Sequence, residues 1–288
     1  MSVEKVIDKS KQSKQEKLIG RHPADHVFFS KCIACEDLPT ISTKIHRKLT
    51  ELDKHKIICN IDLIIDYIIR HHLSYDDIER KRKILKGMGL ERCSEKDWNL
   101  PSSDKTQKAN FAEILLSEYL TSCSNLPLLV YRLRYNPNID QSMKGDDVLL
   151  IEVNDFKKII IGEAKLRTNP DKSVIEEIIK GVDNKKGLPI SLSFIANIVQ
   201  NENKKLAENI ERLNSAISTE KINIVNVGFL LGNLNASNCI ELYDDSHIDN
   251  PYNYNLLFIS LGIDHPENLV TESFKLAVKT LNNQENGK

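Results

Sequence analysis

The 288-residue chain has no apolar run near the roughly 20 residues that a membrane-spanning helix requires. Its start, Met1-Ser2-Val3-Glu4-Lys5, has no apolar stretch behind a basic cluster, so no secretory leader is expected. Its six cysteines are scattered apart from Cys32-Ile33-Ala34-Cys35, and a chain this long does not need disulfide staples. Reduced thiols and a cytoplasmic location are the expectation. Neither charge sign dominates: 40 Lys and Arg face 41 Asp and Glu, for a net charge of -1. Nucleic acid, if bound, must be held by a local basic patch or with a partner's help. No Gly-x-x-x-x-Gly-Lys-Ser/Thr motif occurs, so the chain has no visible ATP-binding loop of its own.

Hydrophobic residues make up 40% of the chain and charged residues 28%, enough to bury a sizeable core. Residues 1–20 are polar and Lys-rich and read as a solvated arm. Residues 21–100 read as mostly helical, with helices over Ile61–Ile69 and Tyr75–Leu85, the second closed by Gly87 and Gly89. From 101 to 288 the pattern is that of a mixed α/β domain. Pro101-Ser102-Ser103-Asp104 starts a helix that runs to about Ser122. Strands follow at Leu128–Tyr135, Asp147–Val153 and Lys158–Lys165, then helices at Asp171–Lys186 and Lys204–Ile217. Strands at Ile222–Leu231 and Tyr254–Gly262 and a helix at Glu267–Leu281 complete it. The fold class expected is a mixed sheet flanked by helices on both faces.

The chemistry concentrates in Gly145-Asp146-Asp147 and Gly162-Glu163-Ala164-Lys165. Glu-x-Lys alone is a weak signal, since Glu79-Arg80-Lys81 and Glu202-Asn203-Lys204 also fit it. Glu163 and Lys165, however, follow Ile159-Ile160-Ile161 on a strand that otherwise reads as core, where charges need partners or a metal. Residues two apart on a strand share a face, so Glu163 and Lys165 point the same way. A hairpin turning about Asp155 sets Asp147 opposite Glu163, with Cβ atoms about 4.5–5.5 Å apart. A slip of one residue would put Asp146 there instead. Two carboxylates so close call for a hard divalent cation such as Mg²⁺, for which Mn²⁺ can substitute. Lys165 beside it would orient a water or stabilise charge on a phosphate. The bland alternative for these three residues is a surface ion cluster.

Helix, strand with Gly-x-Asp, strand with Glu-x-Lys, then helix resembles the PD-(D/E)xK nuclease superfamily, and hence a restriction-endonuclease-like sheet. The resemblance adds Glu113, in Asn110-Phe111-Ala112-Glu113-Ile114-Leu115, as a further catalytic acid and metal ligand beside Asp147 and Glu163. More narrowly, residues 105–186 resemble the HamA family, nuclease subunits of the Hachiman antiphage defence system, with an AbpA-like family as a relative. That resemblance implies a DNA-cutting effector acting with a HamB-like helicase subunit.

Around this centre, Lys157, Lys158, Arg167 and Lys172 are candidates to grip backbone phosphate, although Arg167 and Lys172 could equally cap the next helix. Asp146 reads as a turn residue or as support behind the site, and Glu118 as structural. Cys32 and Cys35, with His22 and His26 nearby, have zinc-like content but lack the second half of a finger. The residues leave open a restriction-type enzyme that selects its own sites, and a subunit that binds DNA or restrains a helicase without cutting. Residues 21–100 are expected to contact the helicase and keep the nuclease quiet.

Overall fold

A computed structural model of the chain describes residues 12–40, 44–89, 93–141, 143–219, 222–243 and 255–283. The anticipated arm lies outside these residues as far as residue 11. Beyond it the chain is helical and anchored, contrary to that expectation. Helix α1 (Lys14–Ile19) is capped by Ser13, whose hydroxyl accepts from the Glu16 N–H. It buries Ile19 and directs Gln15 onto the carbonyls of Leu38 and His46.

Among the described residues six further elements lie before residue 100: α2 (Val27–Cys32), β1 (Ile33–Asp37), β2 (Ile45–Glu51), α3 (Lys54–Cys59), α4 (Ile61–His72) and α5 (Tyr75–Gly87). The helical expectation holds for α4 and α5 but misses both strands. The cause lies in β2, which buries Ile45, His46, Arg47 and Leu49, so polar residues occupy inward positions. Arg47, only 1% exposed, forms a two-pronged pair with Asp37 at 2.6 and 3.0 Å and also donates to Gly20 O at 2.9 Å. His46 Nε2 meets Ser260 Oγ at 2.8 Å. Periodicity cannot reveal a strand whose buried face is held by ion pairs and hydrogen bonds.

The remainder comprises α6 (Asp104–Ser124), β3 (Val148–Ile151), β4 (Lys158–Leu166), α7 (Lys172–Asn184), α8 (Leu192–Val199), α9 (Lys204–Ala216), β5 (Asn223–Gly232), α10 (Ala236–Glu241), β6 (Asn255–Gly262) and α11 (Pro266–Asn283). Six strands form one sheet in the order β1-β2-β6-β5-β4-β3. The central four are parallel, and β1 and β3 join the edges antiparallel. The sheet therefore continues across residue 100: β2 pairs with β6, and α4 packs on α11. One core layer sets β1, β2 and the even residues of β3 and β4 beneath α4, α6 and α11. The opposite face carries α8 and α9 over Leu149, Ile151, Ile159 and Ile161, with α7 and α10 beside them over Leu230 and Phe258. This is the mixed, restriction-endonuclease-like α/β architecture.

The strand expected over Leu128–Tyr135 is instead extended chain ending in a 3-10 turn over Arg132–Tyr135. On a strand, Arg132 and Arg134 would share a face. Here Arg132 donates to the carbonyls of Asp146 and Met143, and Arg134 to that of Arg70 on α4. Two arginines serving different elements require the backbone to turn. Helices α8 and α10 were also missed, both being short. Among the described residues no helix is long and apolar enough to cross a membrane.

Replacing Arg47 with Ala removes the guanidinium from Asp37, which keeps only the Ser13 hydroxyl as a side-chain donor, and from Gly20 O. The expected cost is about 3–5 kcal/mol of unfolding free energy, read from urea titration. A loss below about 1 kcal/mol would mean the pair behaves like a solvated surface bridge.

Candidate active site

The hairpin sets the site. Phe156 adopts φ 57°, and Glu152 N donates to Lys158 O at 3.0 Å, which closes the turn about Asp155. The ladder then pairs Ile151 with Ile159 and continues to Val148 opposite Gly162. One step further, Asp147 stands across from Glu163, as expected from a turn at Asp155. Asp147 Oδ2 accepts from Ala164 N at 2.9 Å, pinning its carboxylate at the end of β4. On the other face, Gly162 lets α6 approach: a Cβ there would stand 2.7 Å from the Leu116 side chain. That close packing brings Glu113, on the same helix, to the edge of the site.

Asp146 takes the supporting place. Its Oδ2 accepts from the N–H groups of Ile190 and Ser191, each at 2.9 Å, and its own N–H donates to Ser191 Oγ. Of the two aspartates, Asp147 is thus the one that stands across from Glu163. Asp147 faces the cleft, while Asp146 is 1% exposed and holds the loop before α8.

Three cations stand among these acids. Lys165 Nζ lies 2.6 Å from Glu163 Oε1, and Lys185 Nζ 2.9 Å from Glu163 Oε2. Burial pushes the Glu163 carboxyl up, but Lys165 and Lys185 outweigh it and hold the pKa below the ordinary value. Arg132 Nε lies 3.2 Å from Glu113 Oε1, and Arg132 Nη1 lies 4.0 Å from Asp147 Oδ1. Although Arg132 favours the charged form of Glu113, burial dominates, and the charges of Asp147 and Glu163 add to it. The Glu113 pKa rises from 4.5 to about 8. The short contact does not rescue the charge because Arg132 Nε makes no well-directed hydrogen bond. Asp147 is shifted upward as well, by burial and then by Glu163.

Sequence reasoning missed Arg132 and Lys185. Arg132 sat in a supposed strand, and Lys185 is just one of several charges near the end of α7. Both lie far in sequence from the acids they meet. The cleft over the site has a volume of about 700 Å³. Seven basic side chains line it, among them Lys105, Lys108, Lys144 and Arg167, against three carboxylates, Glu113, Asp147 and Glu163. A smaller chamber of about 140 Å³ lies behind, walled by His71, Glu113, Ser117, Arg132 and Ser191.

Of the phosphate-gripping candidates, only Arg167 lines the cleft, and it also pairs with Glu177 at 2.7 Å. Lys157 and Lys158 do not line the cleft. They lie at the turn end of β4, and five residues of strand place Lys158 roughly 16 Å from Glu163. Lys172 opens α7, which Asp171 caps, and it does not line the cleft. Glu118 is structural, bound by Arg70 and by His71 at 2.7 Å. Of the zinc-like residues, Cys32 donates to Lys56 O and His26 meets Tyr67 Oη, whereas Cys35 and His22 both meet Tyr119 Oη.

Asp147, Glu163 and Glu113 are the oxygen donors that could hold a hard divalent cation. Among the described residues, no three His, Cys, Asp or Glu side chains converge on one point. Mg²⁺ commonly needs only one or two carboxylates, with water and phosphate completing its shell. Glu113 and Asp147 are shifted upward by burial first and by neighbouring acids second, and a cation bound there would favour their charged forms.

Those shifts make folding pH-dependent. A carboxyl that holds its proton more tightly when folded stabilises the fold at low pH. That stabilisation is lost as pH rises from the unfolded toward the folded pKa. Glu113 therefore loses its own stabilising contribution between pH 4.5 and about 8, so over that range the melting temperature of metal-free wild type should fall relative to that of Glu113→Gln in calorimetry. Identical slopes in the two proteins would show that Glu113 ionises normally.

Known sequences match the chain over most of its length. The HamA family model matches residues 26–277. A Bacillus cereus relative, the Hachiman protein HamA, is 38% identical over 271 residues, spanning 93% of this chain and 96% of its own length. The match reaches through β1 and β2 as well as the acid-bearing hairpin, and the chain belongs to the HamA family.

Proposed function

We propose that this chain is a metal-dependent DNA nuclease, the effector of the Hachiman antiphage defence system, working with a helicase subunit. The observation that carries this reading is the meeting of Asp147, Glu163 and Lys165 at one strand end, at the floor of a basic cleft. The family membership supports the defence role. The cleft's basic lining, in a chain of net charge -1, suits a polyanion such as the DNA backbone.

In this reading Asp147 and Glu163 hold Mg²⁺, with Glu113 joining them as an ion. Mg²⁺ bound there supplies Lewis-acid polarisation of a phosphodiester oxygen. The protein contributes the rest. Lys165 orients the attacking water and neutralises charge that develops on the phosphate. Arg167, Lys105 and Lys144 fix the backbone along the cleft. Ala164 N holds Asp147 so that its second oxygen faces the substrate. ATP-driven unwinding falls to the HamB-like partner.

The same ion pairs motivate a second reading. Lysines occupy both Glu163 oxygens, and Arg132 stands between Glu113 and Asp147. A site neutralised by its own cations would suit a subunit that binds DNA or restrains a helicase without cutting.

Plasmid cleavage with Mg²⁺ separates the two, using wild type, Glu163→Gln and Lys165→Ala, each with and without the helicase and ATP. The nuclease reading expects each substitution to lower the rate by about 10²–10³-fold. Equal cleavage by wild type and both variants, or no cleavage in any folded mixture, would overturn it. Gly181 offers a finer test, because a Cβ there would lie 2.8 Å from Glu163 Cδ. Gly181→Ala should push that flexible carboxylate aside and slow cleavage about tenfold. Helix α7 itself should not weaken, since Ala is favoured over Gly in a helix by about 1 kcal/mol.

A further inference from the structure

We propose that Lys185 is a positioning residue that ties Glu163 to Asp146 and so fixes the spacing between Glu163 and Asp147. This inference rests on the nuclease reading and names a part of its machinery that the Glu-x-Lys motif does not contain.

The two lysines on Glu163 are not equivalent. Lys165 lies two residues away on the same strand, so it moves with Glu163 and cannot set where that carboxylate sits relative to β3. Lys185 comes from a different element, immediately after α7. Its Nζ lies 2.9 Å from Glu163 Oε2 and 3.4 Å from Asp146 Oδ1. Glu163 lies on β4 just beyond its last pair with β3, whereas Asp146 precedes β3 and adjoins Asp147. One ammonium therefore spans the two strands that carry the acids.

The local structure is built for that contact. Gly181, one helical turn before Lys185, leaves the space into which the Glu163 carboxylate fits. The backbone of Ile190 and Ser191 holds Asp146 Oδ2, while Asp146 Oδ1 is buried and makes no hydrogen bond of good geometry. Lys185 is the cation facing that oxygen, with a side chain only 14% exposed. A surface lysine gripping phosphate would keep its ammonium in water. This one is enclosed by two carboxylates.

The test compares wild type with Lys185→Ala, Lys185→Arg and Asp146→Asn in plasmid cleavage with Mg²⁺, helicase and ATP. DNA affinity is measured separately with Ca²⁺ in place of Mg²⁺. Lys185→Ala is expected to lower kcat at least tenfold, with KM and DNA affinity within twofold of wild type. Lys185→Arg should restore most of the rate, because a guanidinium can span the same two acids. Asp146→Asn keeps an oxygen for the Ile190 and Ser191 N–H groups but loses the charge facing Lys185, and should reproduce much of the kcat loss. If Lys185→Ala does not fold, the other two variants carry the test. Unchanged kcat in all the folded variants would overturn the proposal. So would normal kcat with weakened, less salt-dependent DNA binding in Lys185→Ala, which would make Lys185 a phosphate contact. An inactive wild type would instead overturn the nuclease reading itself, a separate result.

Discussion

Glu163 follows a run of buried isoleucines at a place where a lone carboxylate would not stay ionised. Lys165 and Lys185 keep it charged, one on each oxygen. The other acids of the site depend on the same compensation. Asp146 leans on Lys185, and Glu113 and Asp147 on Arg132. Each cation comes from a separate stretch of chain: β4, the residue after α7, and the 3-10 turn before β3. Holding four carboxylates together requires those three segments to meet, and the packing of α6 and α7 against β4 brings this about.

The compensation is uneven, and the unevenness is informative. Glu163 is driven below its ordinary pKa, while Glu113 and Asp147 are driven above theirs. Glu163 has two ammonium groups at hydrogen-bonding distance. Arg132 spends its Nη1 and Nη2 on backbone carbonyls and meets Glu113 through a poorly directed Nε. The loop over residues 143–146 gains order from those carbonyl contacts at the expense of the acids. The site thus divides into one carboxylate with its counter-ions in place and two that remain short of positive charge.

Much of this was legible before the structure. The apolar runs of β3 and β4 and the polar turn about Asp155 pointed to the hairpin and, to within one residue, placed Asp147 across from Glu163. Glu113 was reached through resemblance alone, since a single acid on a helix has no periodic signal. Strands β1 and β2 were not legible because Arg47 and His46 fill inward positions that hydropathy assigns to solvent. Lys157 and Lys158 stand away from the cleft for a simpler reason. They are near Glu163 in sequence, but a strand is straight, and nearness along it becomes distance from its far end. Lys185 is 22 residues from Glu163 yet touches it.

Helix α6 carries Glu113 at the site and, five residues on, Glu118, which grips Arg70 and His71 of α4. The rise between the two acids is about 7.5 Å, under two turns. A helix segment that short does not flex, so Glu113 and the anchor on α4 form one stiff lever arm. Helix α4 in turn rests on α11. The α4–α11 pair and the acid beside Arg132 are therefore joined through one short helical segment and the Glu118 pairs, so a change in how α4 sits has a direct structural route to the site.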